Sequence, residues 1–471
     1  MEKSMQADLS KKDEQFREFS LNGPMWRVVL YVGFPLALYE SLNQLFKILD
    51  TMMASHIGAS AVSAVAYLSQ INMMISAVGT GLAVGASIKV SQAYGAGDFM
   101  LVKKRVSTMF AMCGVLGIAI LFVLVPFTPE FLRLMNTPEE FIADGSTYFR
   151  LELFGMVITF FNNVYIAIER ARGNSKRILI LNTAVIVVKL GLTAWFVYGL
   201  DGGINMISCA TIISQSFLLL AACINMNQKG NAFGFSLRAV SIKKEVICPM
   251  LTLSFPVIVE RIAFAVGKVI VNSMSTVYGS WTVGALGISN NIGGITTNPQ
   301  NGFQEGGSSI ISQNLGAGRP KRALLAFRWG LYIDMFIGLV IMTASLLCLN
   351  QLAGLFAGDN TEFAEMIKQI YRFEAVGAIP LGVNAAVMAL LYGFGKTRVT
   401  LVMNFCRVFL FRVPVLWALQ QFTDLGNVSA GIVMAVSNVA SGVLAAVVGI
   451  IEIRRICNTY DVRYFGGERK N

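Results

Sequence analysis

Glu40, Asn43, Lys47 and Asp50 follow one another at spacings of three, four and three residues, so an α-helix carries all four along one face. The surrounding residues are apolar, and charges in such a run are costly unless they look into protein or water. Similar interruptions recur at Lys189, at Glu260, Arg261, Lys268 and Asn272, at Gln304 and Glu305, and at Arg407 and Arg412. A carboxylate facing an apolar cavity can take up a proton near neutral pH or help ligate Na⁺. Asp50 and Glu305 are the leading candidates for that chemistry. Lys47 stands one turn before Asp50, and Arg261 follows Glu260, so a fixed ion pair that never titrates is the competing reading at both acids.

Catalytic chemistry finds no support. The single histidine, His56, has no cysteine or acidic cluster around it, and reads as a solvated loop residue. Gly395-Lys396-Thr397 resembles the end of a phosphate-binding loop, yet the glycine needed five residues earlier is Leu390. The seven cysteines are scattered, with neither metal-ligand spacing nor a paired framework. The chain is therefore expected to be no enzyme, to use no cofactor and to draw its energy from an ion gradient, H⁺ or Na⁺, or from a partner.

The elements that position these residues are membrane helices. The 471 residues are 55% hydrophobic and 14% charged, with a mean hydropathy of +0.62. Apolar runs of about 20 residues recur, each long enough to cross the hydrocarbon core. Only a helix satisfies its own backbone in lipid. Twelve spans are expected, at 28–52, 60–91, 105–127, 148–169, 178–199, 204–226, 247–277, 282–313, 327–350, 369–392, 399–420 and 427–451. The second and eighth exceed one straight crossing. The expected organisation is a leader (1–27), an N-lobe (28–226), an inter-lobe loop (227–246), a C-lobe (247–451) and a basic tail (452–471).

The net charge of +11 is no nucleic-acid signature. Its lysines and arginines collect in alternate loops, after the second, fourth, sixth, eighth and tenth spans and in the tail. That pattern puts both termini in the cytoplasm. The reading is an all-α, multi-pass plasma-membrane protein whose partners are the bilayer and a small molecule, acting as a monomer.

The chain is also a duplication. At an offset of 221 residues, Phe34-Pro35 falls on Phe255-Pro256 and Gly95-Ala96-Gly97 on Gly316-Ala317-Gly318 without a gap. Gly81 and Gly85 meet Gly302 and Gly306, and Lys47 meets Lys268. At 222, Gly173, Asn182 and Trp195 meet Gly395, Asn404 and Trp417. Six spans per repeat relate the halves by an axis along the membrane normal. Pro35 and Pro256 should bend the first and seventh spans at matched points. The two Gly-x-x-x-Gly faces admit a closely packed neighbour, expected from within the same lobe.

With Asp50-Thr51-Met52, Ser91-Gln92, Ser312-Gln313-Asn314-Leu315 and Gly393-Phe394-Gly395 added, the duplicated pattern resembles the multidrug and toxic-compound extrusion (MATE) transporters from about Pro24 to Ile451. The resemblance implies a V-shaped pair of pseudo-symmetric six-helix lobes that expels drugs, chiefly amphipathic organic cations, against an inward H⁺ or Na⁺ gradient. It places the family's first-helix aspartate on Asp50, and the eighth-helix acid of one bacterial branch on Glu305. The chain departs from the pattern where Lys189 and Thr193 stand in place of an Asn and an Asp, and where Lys47 and Lys268 add positive charge. Three rivals stay open: an exporter of an anionic metabolite, a flippase for lipid-linked sugars whose phosphate the lysines would meet, and a non-transporting receptor or scaffold.

Overall fold

The computed structural model describes residues 9–54, 59–134, 137, 139–227, 231–358 and 360–462. His56 lies outside the described residues. Lys47 and Asp50 are placed by their backbone alone, since the side chains of 47, 48, 50–54, 59–67, 70, 139–141, 143 and 144 also fall outside.

Among the described residues the chain forms α-helices and no strand. The leader holds α1 (Lys11–Asn22). The first repeat follows as α2 (Met25–Ala54), α3 (Ala59–Ala96), α4 (Phe99–Leu124), α5 (Thr128–Leu134), α6 (Glu139–Ala171), α7 (Ser175–Ala194) and α8 (Ile204–Met226). The second runs through α9 (Lys244–Ser275), α10 (Ser280–Gly316), α11 (Pro320–Leu347), α12 (Leu349–Ala357), α13 (Thr361–Ala375), α14 (Ala378–Gly393), α15 (Thr397–Phe405), α16 (Val413–Phe422) and α17 (Val428–Tyr460).

Each of the twelve expected spans coincides with a helix or a helix pair. Among the described residues nine helical stretches are long and apolar enough to cross a membrane, and the pair α13 and α14, bent by 49°, makes a tenth. The remaining two expected spans are α2 and α10. The first carries Glu40, Asn43 and Gln44 and the second a run of Asn, Gln and Gly, so both are too polar to declare themselves by hydropathy. Such helices belong where protein or water, not lipid, covers them. At 38 and 37 residues, α3 and α10 are roughly 55 Å long and extend past the hydrocarbon core. Both stop at matched glycines with positive φ, Gly97 at +81° and Gly318 at +70°, a conformation that a side chain resists.

The repeats differ at one span. α6 is continuous where α13 and α14 are broken. Pro380, at the third position of α14, matches Ile158 inside α6. A proline supplies no N–H to the preceding turn, so the second repeat starts a new helix there and the first does not.

Two compact units form. The first comprises 1–15, 42–94 and 98–265, and the second 16–41, 95–97 and 266–471. The unit boundaries thus fall inside α1, α2 and α9 and near the end of α3, not between the repeats. The reason is visible at the Gly-x-x-x-Gly faces. In the first unit a Cβ on Gly81 would stand 2.7 Å from the Ile258 Cα, and one on Gly85 would stand 2.5 Å from the Ser254 backbone nitrogen. Ser254 Oγ donates to the Leu82 carbonyl at 3.2 Å. In the second unit a Cβ on Gly302 would come within 2.5 Å of the Ala37 nitrogen, and one on Gly306 within 3.3 Å of the Gly33 Cα. Each glycine face therefore receives the first helix of the other repeat, correcting the expectation of a neighbour from its own.

α1, which the sequence reading did not foresee, is held at both ends. In the first unit Asp13 accepts from Arg172 Nε at 3.0 Å and Nη2 at 2.9 Å, while Arg172 Nη1 reaches Glu169 at 3.1 Å. Burial alone would discourage the Arg172 charge, but Glu169 and Asp13 outweigh it and hold the guanidinium above its ordinary range. In the second unit Arg17 donates to the Gly95 carbonyl, Ser20 to Gln313 and Arg322 to the Gly23 carbonyl, each at 2.8 Å.

Because the two nearest atoms facing Gly85 are backbone and cannot swing aside, Gly85→Val should destabilise the protein by about 1–3 kcal/mol. Thermal unfolding in detergent checks this. Gly330→Ala, where no atom lies within 4 Å, should leave the midpoint unchanged or slightly raised.

Candidate functional site

The structure separates some of the expected site residues and gathers others. On α2, Glu40 is half-buried and Asn43 exposed. In the first unit Glu260 is buried, while Arg261 and Lys189 are half-buried. In the second unit Gln304 and Glu305 are half-buried on α10, where Ser308 Oγ donates to the Glu305 carbonyl at 2.8 Å. Pro35 and Pro256 lie inside α2 and α9 as expected, and Pro249 adds a second proline to α9. Lys268, Arg407 and Arg412 are the sequence-predicted residues shown acting together, and they act on an acid the sequence reading did not single out.

That acid is Glu374, the penultimate residue of α13, buried at the break of its span. Ser289 Oγ of α10 donates to its Oε2 at 2.5 Å. One turn on, a Cβ at Gly293 would lie 2.7 Å from Oε1, so the missing side chain is what lets the carboxylate approach α10. Arg412, Lys268 and Arg407 all act on it electrostatically. Arg407 Nη2 donates to Asn438 Oδ1 at 3.1 Å, Arg412 Nε to Ser437 Oγ at 3.3 Å, and Ser437 Oγ in turn to the Arg407 carbonyl at 3.2 Å. α17 thereby fixes both arginines.

The local fold explains how two arginines five residues apart reach one carboxylate. In a regular α-helix they would diverge by about 140°. Here Cys406–Leu410 is a turn of π-helix between α15 and α16, and the extra residue per turn brings Arg407 and Arg412 toward one side. No periodicity rule applied to the sequence contains that turn.

Glu374 has a counterpart. At the 222-residue offset it falls on Glu152 of α6, which accepts from Ser208 Oγ of α8 at 2.7 Å and from Asn72 Nδ2 of α3 at 3.5 Å. Asn72 matches Gly293 at the offset of 221. Where the first repeat offers its acid an amide, the second leaves a gap. The repeat alignment already contained this pair of acids, since both stand inside the fourth span of their repeat.

Chemically, the second unit sets one buried carboxylate among three basic side chains. Among the described residues no group of three or more His, Cys, Asp or Glu could hold a metal ion. Removing the carboxylate would leave the buried Arg412 and the half-buried Arg407 and Lys268 without it, so Glu374→Ala should cost about 3–5 kcal/mol. The double variant Glu374→Ala, Arg412→Met should recover part of that loss, which a double-mutant cycle on detergent-solubilised protein measures.

A family model described as MatE matches residues 35–195 and 256–418, one match per repeat. The chain is 24% identical over 409 residues to the probable multidrug resistance protein YoeA of Bacillus subtilis (strain 168), covering 85% of this chain and 88% of that one. It is 22% identical over 436 residues to the multidrug export protein MepA of Staphylococcus aureus (strain NCTC 8325 / PS 47), covering 90% and 94%. Among solved structures, a MATE protein in complex with MaL6 matches with a TM-score of 0.89 at 20% identity, over 95% of this chain and 100% of that one. A MOP superfamily transporter from Pyrococcus furiosus Vc1 (DSM3638), described as having a binding pocket of reverse polarity, matches with a TM-score of 0.88 at 20% identity, over 95% and 99%.

Proposed function

This chain belongs to the MatE family of membrane transporters, and we propose that it is a secondary active exporter of small organic compounds, driven by an H⁺ or Na⁺ gradient through alternating access. The observation that carries the reading is the charge cluster around Glu374, at the break of a membrane span. Ionisable groups at membrane depth mark ion and substrate paths, and discontinuous helices are where transporters build such sites. The multidrug names carried by its relatives support small organic compounds as the cargo. Asp50 and Glu305 remain the proposed coupling acids, with Glu260, Glu40, Asn43, Gln304, Lys189 and Lys47 as candidate cavity residues. The protein acts in the plasma membrane with both termini cytoplasmic.

A second reading, export of an anionic compound, is favoured by the three basic groups that act on one acid in the second unit. Those groups can meet a carboxylate or phosphate on the cargo as well as Glu374. The two readings differ in the charge of what is carried and share the same energy source.

The test is export of a lipophilic cationic dye from pump-deficient cells. Expression of the wild-type chain should lower dye retention several-fold in an energy-dependent way, and Asp50→Asn or Glu305→Gln should abolish the effect at matched expression. A well-expressed wild-type chain that leaves the dye inside sinks the cationic reading. The same cells loaded with an organic anion then decide the second, with Arg412→Gln as the variant expected to fail.

A further inference from the structure

Asp334 is a deeply buried carboxylate that the charge cluster does not use. It lies at the middle of α11, 1% exposed, in a span whose other face is apolar. Its Oδ1 is buried without a hydrogen-bond partner, and so is Oε1 of the adjacent Gln300. The amide orientation of Gln300 is not in question. Its Nε2 donates to the Asp334 carbonyl at 3.1 Å and to the Ala378 carbonyl at 3.0 Å, and a flipped amide would set oxygen against two carbonyl oxygens. Gly338 and Gly382 make room for that amide, for a Cβ on either would come within 2.9 Å of Nε2.

Two buried acceptors thus sit at neighbouring residues with no donor between them. An ionised carboxylate there is a charge held in a low-dielectric interior, which is costly. The elements packed on α11 do not compensate it. α12 contributes no acid or base, and the only titratable side chain of α14 is Tyr392 near its far end. On α10 Glu305 stands five residues beyond Gln300. On α13 Glu374 is engaged by Ser289, and Tyr371 donates to Ser345 Oγ at 2.7 Å. Arg328 and Tyr332 share the helix with Asp334, and no described charged side chain acts on its carboxyl.

We propose that Asp334 is a proton-binding site of the second unit: the carboxyl binds H⁺ as packed here and releases it when α11, α10 and the broken span part to admit water. A proton on Asp334 supplies the donor that the buried acceptors lack, and its release leaves a carboxylate that only water or a cation can satisfy. The place is suited to coupling, because Gln300 ties the Asp334 backbone to Ala378, the first residue after the break between α13 and α14. Opening the span at that break disturbs the carboxyl's surroundings. The first repeat has no such acid. The matching position at the offset of 221 is Cys113, also buried, so the site belongs to one repeat only.

The inference rests on the exporter reading only in naming what the proton is for, and its first test does not need the cargo. Infrared spectra of the purified wild-type protein should contain a protonated carboxylic C=O band that vanishes in Asp334→Asn. In wild-type proteoliposomes without Na⁺, a pH gradient should drive uptake or release of a bound dye. Asp334→Asn should lose at least tenfold of that driven flux while binding the dye as before, and Asp334→Glu should recover part of it. Absence of an Asp334-dependent band overturns the proposal, as does an Asp334→Asn protein with wild-type pH-driven flux. If the band is present and no cargo moves with wild-type protein, the proton site stands and the exporter reading falls.

Discussion

Everything in this fold depends on how closely two backbones can approach where glycine removes the side chain. At Gly81 and Gly85, and again at Gly302 and Gly306, a long helix receives another at distances no Cβ permits. In a bilayer there is little hydrophobic gain from joining helices, so van der Waals contact of this kind is what holds them. The contact also decides which helix goes where. The early residues of α2 are drawn to α10 and those of α9 to α3, so the compact units cut across the repeats.

The same constraint explains why polar residues accumulate on α2 and α10. Helices surrounded by protein can carry Asn, Gln and Glu that a lipid-facing helix cannot. Of the two expected spans that fail a hydropathy test, α10 holds Ser289, the gap at Gly293, Gln300 and Glu305, and α2 holds Glu40 and Asn43. Low hydropathy here marks helices that carry polar side chains, not helices that are missing.

Much of this was legible in the sequence. The twelve runs, the duplication and the polar interruptions all follow from composition and period, because a bilayer imposes a length and a duplication leaves an offset. What was not legible has specific physical causes. Arg407 and Arg412 meet only because a π turn adds a residue between them. The partner of Gly81 is a helix nearly two hundred residues away in sequence, and a small-residue spacing says that something packs there without saying what. Glu152 and Glu374 were readable at the offset of 222, but conspicuous glycines and tryptophans carried that comparison. Asp334 was visible as a lone acid in an apolar run, and it has no counterpart in the first repeat to draw notice.

The exchange of first helices bears on how such a chain arose. A single six-helix half, standing alone, would bare a glycine-lined groove with nothing of its own to fill it. Two identical halves would each fill the other's groove, an isologous arrangement with twofold symmetry. An even number of crossings leaves the end of one half and the start of the next on the same side of the membrane, so a short connection between α8 and α9 suffices to join them. The interlock therefore makes each repeat supply the helix that covers the other's glycines, so neither buries its groove by itself. Within that shared frame the copies differ freely elsewhere, one with Cys113 where the other holds Asp334.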